Sequence, residues 1–132
     1  MTKIAIIRCE KNENRCPLTG CFSCLVENKQ GFARYEDASA SMPGGVFTCR
    51  CPGDNVVGFA KILKSKGVEA IHFVTCTFAT KREGKWEDAD GGFCDNIDAI
   101  IDQVHQDTGM TCIKGSAHLP ENYMPKVWEK SA

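Results

Sequence analysis

Apolar residues along this chain fall either in short unbroken runs or at helical spacing, and the two kinds of segment alternate. Ile4-Ala5-Ile6-Ile7, inside a segment from Lys3 to Cys9, is an uninterrupted run closed by a polar turn, as expected of a parallel strand buried on both faces. Val46-Phe47-Thr48-Cys49 reads as a second strand, residues 70–76 as a third and residues 110–114 as a fourth. From Asp54 to Lys66, Val56, Phe59, Ala60 and Leu63 recur on one helical face, and Gly67 supplies a left-handed stop. From Asp95 to Thr108, Ile97, Ile100, Ile101 and Val104 do the same, with Gly109 as the stop. A loop over residues 10–21, holding Pro17 and Gly20, precedes a short expected helix from Phe22 to about Asn28. Phe32 and Tyr35 are expected to pack inward, and residues 38–45 to be turn-rich. Residues 77–93 read as a long polar loop with Trp86, and the polar tail after His118 is expected to dock through Tyr123, Val127 and Trp128.

Strands alternating with helices require right-handed crossovers and a parallel sheet covered on both faces. The expectation is one α/β domain over residues 1–132, a small flavodoxin-like three-layer sandwich with about four parallel strands. A chain of this length buries roughly two thirds of its unfolded surface, so its core needs no covalent staples.

Composition adds exclusions. Sixteen basic and 17 acidic residues give a net charge of −1 with no basic run, so a nucleic-acid partner has no electrostatic footprint. No apolar run reaches the roughly 7–15 residues of a secretory core or the about 20 of a membrane helix, so a cytoplasmic protein without a membrane partner is expected. In that setting the nine cysteines, at positions 9, 16, 21, 24, 49, 51, 76, 94 and 112, are the outlying feature. An odd number of thiols in a reducing compartment points to metal ligation or redox chemistry rather than stapling.

Their placement sharpens this. Cys9 closes the first strand, Cys49 and Cys51 the second and Cys76 the third, while His118 lies just past the fourth. The carboxyl ends of parallel strands are where open α/β sheets bind ligands. Cys51 and Cys94 are expected at the starts of the two longer helices, where free N–H groups favour a thiolate. Cys112, in mid-strand, reads as core; His72 reads as structural and His105 as a surface residue. Cys16, Cys21 and Cys24 form a second cluster with the C-x4-C-x2-C spacing of plant-type [2Fe–2S] ferredoxins, which either completes the strand-end site or holds a second one. A phosphate site at the Pro52-Gly53 helix start lacks a Gly-rich fingerprint and places cysteines where the phosphate would sit.

Taken in order, Ile4-Ala-Ile-Ile-Arg-Cys9, Cys16-Pro with Thr-Gly-Cys21-Phe, Gly45-Val-Phe-Thr-Cys49-Arg-Cys51-Pro-Gly and Ile71-His-Phe-Val-Thr-Cys76 resemble the CGGC-domain proteins over residues 3–118. The resemblance implies metal binding, of zinc first, in a small prokaryotic protein. Carried over by position, it implies a ligand set drawn from Cys9, Cys16, Cys21, Cys49, Cys51, Cys76 and Cys94, with His118 as the late histidine. Cys24 is peculiar to this sequence. The Cys-Gly-Gly-Cys signature is shortened here to Cys49-Arg50-Cys51, which alters the bite of the two thiolates and places Arg50 to neutralise their charge.

Three functions are therefore carried forward. The first is zinc held by three or four of Cys9, Cys49, Cys51, Cys76 and Cys94, with His118 as a further ligand. The second is an iron–sulfur cluster on the strand-end set or on the 16/21/24 loop. The third is a metal-free thiol redox enzyme or sensor, with Cys51 or Cys94 as the nucleophile.

Overall fold

The computed structural model describes residues 2–35 and 41–129. Four strands, β1 (Thr2–Cys9), β2 (Ser41–Cys49), β3 (Ala70–Phe73) and β6 (Thr111–Lys114), pair in parallel in the order β2-β1-β3-β6. A fifth, β7 (Lys126–Trp128), adds to β6 in antiparallel sense. The sheet is thus mixed and mostly parallel, one strand larger than the sequence predicts. Three helices flank it: α1 (Thr19–Glu27), α2 (Val56–Ser65) and α3 (Ile97–Thr108). A short hairpin of β4 (Thr80–Arg82) and β5 (Lys85–Glu87) lies inside the segment expected to be loop.

Alternation along the strands divides the core. Ala5, Ile7, Ile71, Phe73 and Cys112 face α2 and α3, meeting Val56, Ala60, Ile97, Ile101 and Val104. Ile4, Ile6, Ala70, Val74 and Ile113 face the other way, onto Leu25 of α1 and onto Phe32 and Tyr35 of a 3-10 segment, Gln30–Tyr35. Each fully buried branched or aromatic side chain contributes on the order of 1.5–3 kcal/mol. Both faces are covered, as the unbroken apolar run of β1 requires.

Several boundaries differ from the sequence reading. α1 begins at Thr19, so Cys21 and Cys24 lie on a helix and not in a ferredoxin-like loop. β2 begins at Ser41, where turns are expected; the rest of that expected turn, residues 38–40, lies outside the described residues. β3 ends at Phe73, leaving Cys76 on a 3-10 turn, Thr75–Thr77, past the strand. Phe59 is 45% exposed and stacks on Phe47 of the edge strand instead of entering the core. Cys112 is fully buried, as read.

Two histidines follow from local geometry. His72 Nδ1 faces the Gly115 carbonyl at 2.8 Å, which fixes the proton on Nδ1 and leaves Nε2 to accept from Tyr35 Oη, also at 2.8 Å. Burial pushes its pKa down to about 3, so it is a neutral structural group. His105 is half-buried and donates from Nδ1 to the Met110 carbonyl, closing the C-terminal turn of α3 rather than standing free on the surface. No helix among the described residues is long and apolar enough to cross a membrane.

Candidate functional site

The strand-end cysteines meet because of a bulge. In the β1–β2 ladder Ile4 pairs with Pro43 but Ala5 pairs with Gly45, so Gly44 is an extra residue. From there the register carries Cys9 directly beside Cys49. Without the bulge Cys9 would face Thr48, and Cys49 would turn to the opposite face of the sheet.

Cys9, Cys49, Cys51 and Cys94 line one cavity of about 120 Å³ on the α2/α3 side, floored by Ile7, Phe73, Ile97 and Ile100. Asn55, just ahead of α2, pins the Cys49–Cys51 turn: its Nδ2 donates to the Thr48 carbonyl at 2.8 Å and its Oδ1 accepts from Arg50 N–H at 2.9 Å. Cys94 is held by backbone pairing to the turn after β3, with Phe93 N–H on the Cys76 carbonyl and Cys94 N–H on the Thr77 carbonyl, both at 3.0 Å. Gly92 makes this approach possible. A Cβ there would stand 2.7 Å from Ala79 N and 2.8 Å from Phe78 N, and closer still to the Cys76 carbonyl oxygen. Cys51 and Cys94 precede α2 and α3 by several residues, so neither lies in a first helical turn as the sequence reading has it. Asn96 N–H nevertheless donates to Cys94 Sγ at 3.4 Å.

The charge pattern around this cavity differs from expectation at Arg50. Its guanidinium is bound outward to Glu13, at 3.0 Å, and to Glu10, at 3.5 Å, and does not neutralise the thiols. Glu10 also accepts from Cys51 N–H at 3.0 Å, which holds its carboxyl below the usual range. Burial first, then the neighbouring Cys94, Cys9 and Cys51, push the Cys49 thiol up to about 11. The Cys51 thiol is raised as well, by lost solvent and by Glu10, against the pull of Lys11. Clustered thiols of this kind repel one another once ionised, and a bound cation is what would stabilise them together.

Cys76 and His118 do not join this group. They line a second cavity, also of about 120 Å³, with Cys16, Cys21, Trp86 and Ser116. The 3-10 turn is the partition: Thr77 lines the first cavity and Cys76 the second. Cys24 lines neither of these two cavities. Burial raises the Cys76 thiol to about 11, with Cys16 and Cys21 among the neighbouring thiols that add to it. Arg8 holds the loop before α1, donating to the carbonyls of Glu13, at 3.0 Å, and of Cys16.

Among the described residues, no three histidine, cysteine, aspartate or glutamate side chains stand close enough as placed to hold a metal ion. The donor chemistry nonetheless fits a thiophilic ion, since four cysteines line the first cavity and three line the second. Each cysteine has a single side-chain torsion, so a rotamer change redirects its sulfur without moving the backbone. Sequence reasoning missed Lys11, Asp95 and Thr77 at the first cavity, Trp86 and Ser116 at the second, and Arg8, which bonds the Cys16 carbonyl. Asp95, Thr77 and Arg8 carry a signal in the sequence, each standing next to a candidate cysteine, Cys94, Cys76 and Cys9 in turn.

The CGGC-domain profile matches residues 3–117. No curated protein matches the chain. No solved structure matches it either.

Proposed function

The chain belongs to the CGGC-domain family, and from that premise we propose that it is a metal-binding protein that holds zinc through the thiolates of Cys9, Cys49, Cys51 and Cys94. The observation that carries the reading is that β1, the end of β2 with its turn, and the loop before α3 bring these four cysteines to one cavity with an apolar floor. Zinc suits a donor set made only of thiolates, because it takes four ligands tetrahedrally and needs no redox partner. Ligation displaces the thiol protons, so the ion replaces mutual repulsion with attraction at Cys49 and its neighbours. A set of four protein ligands leaves no open coordination position, which favours stability, sensing or delivery over hydrolysis. A cytoplasmic location, with every cysteine free, completes the proposal.

Elemental analysis of protein purified without oxygen tests it. Zinc is expected in the wild type and lost from this site in Cys49→Ser and Cys94→Ser. Full zinc content in both variants would refute the assignment, and brown protein rich in iron would replace zinc with an iron–sulfur cluster on the same thiols.

A further inference from the structure

The second cavity has its own architecture, on the opposite face of the sheet from the first. Its thiols come from three separate places: Cys16 on the loop before α1, Cys21 in the first turns of α1, and Cys76 on the turn after β3. Each sulfur has a polar neighbour aimed at it. Leu18 N–H donates to Cys16 Sγ at 3.4 Å, and Asn12 Nδ2 donates to Cys76 Sγ at 3.4 Å. Ser116 Oγ accepts from Thr75 N–H and lies 3.1 Å from Cys21 Sγ, where its hydroxyl is free to donate once that sulfur is a thiolate. Donors directed at sulfur stabilise it as a thiolate and orient it as a ligand.

The fourth donor arrives through an unusual backbone. His118 sits at φ +55°, a left-handed position uncommon for a residue with a side chain. Its ring packs where Gly20 has no side chain, with Nε2 only 2.9 Å from the place a Gly20 Cβ would occupy. That nitrogen therefore faces the helical turn that carries Cys21. The Trp86 indole stacks on the imidazole, centroids 5.2 Å apart and planes 9° from parallel, and lines the cavity from the β4–β5 hairpin.

We infer that this chamber is a second, separate site for a soft divalent cation, ligated by the thiolates of Cys16, Cys21 and Cys76 and by His118 Nε2. Three thiolates and one imidazole are a complete tetrahedral set for such an ion. On binding, each thiol gives its proton to solvent, and the imidazole binds through a ring nitrogen that carries no proton. The inference does not depend on the first cavity holding zinc.

The test uses the full chain with Trp128→Phe, so that Trp86 is the sole tryptophan, stripped of metal and titrated with Co²⁺ without oxygen. Two equivalents are expected to bind with thiolate-to-cobalt absorption, and one of them to quench Trp86 emission. Cys49→Ser should bind one equivalent and keep the quenching. Cys16→Ser, at a half-buried position, should bind one equivalent without it. His118→Asn, whose new side chain tolerates the left-handed backbone, should weaken the quenching event at least tenfold. Trp86 emission unquenched by Co²⁺ in the parent protein, or quenching unchanged in both Cys16→Ser and His118→Asn, would overturn the second site. If Cys49→Ser instead leaves both equivalents in place while Cys16→Ser and His118→Asn behave as expected, the first site fails and the second stands.

Discussion

At the scale of single residues, the molecule keeps its chemistry-bearing groups apart from its structural ones. His72 has the clearest structural signature: it is buried, bonded at both ring nitrogens and neutral. Its folded pKa of about 3 lies below the ordinary value of 6.5, so protonation favours the unfolded chain. The stability it contributes is complete above about pH 6.5 and declines by up to about 1.4 kcal/mol per unit as pH falls toward 3. Urea unfolding of metal-stripped protein should therefore show markedly lower stability at pH 5.5 than at pH 7. His72→Asn should be less stable at pH 7 and flatter across this interval, and an equal pH dependence in the two proteins would refute the assignment. Arg50 shows the same separation of roles in another form. The residue that shortens the family signature is spent on Glu10 and Glu13, outside the cavity.

At the scale of elements, short connections do the positioning. The bulge at Gly44 aligns Cys9 with Cys49, and Gly92 lets the Cys94 loop lie against the turn after β3. Gly92→Ala would force a methyl group against backbone atoms on that turn, which cannot rotate away. A loss of about 1–3 kcal/mol is expected by urea unfolding, together with weaker metal retention at the first cavity. Unchanged metal content and stability would contradict the role given to this loop. Much of the framework is legible in the sequence. β1 stands out by its unbroken apolar run, and α2 and α3 by helical spacing with glycine stops. α1 is obscured because Pro17 and Gly20 resemble loop punctuation, whereas Gly20 in fact makes room for His118. β7 is obscured because its pairing with β6 is long-range and its own three residues carry no periodic signal.

At the scale of the whole molecule, the carboxyl edge of the sheet holds two thiol chambers, one on each side of the 3-10 turn. Placing all strand ends at one edge is correct, but it leaves out which face each residue takes. Strand alternation puts Cys9 on the face of Ala5 and Ile7, whereas Cys76 lies past the end of β3 on the 3-10 turn, which directs it to the α1 side with Val74. The candidate ligands are therefore legible individually, and their grouping is hidden in the 3-10 turn, which sends Cys76 to the side of Cys16, Cys21 and His118. The proposed zinc site stands or falls on ligation by the thiolates of the first chamber. X-ray absorption at the zinc edge, on Cys16→Ser protein loaded with one equivalent, tests it most directly. A first shell of sulfur alone at about 2.3 Å is expected; a shell of nitrogen and oxygen at about 2.0–2.1 Å would contradict the zinc assignment.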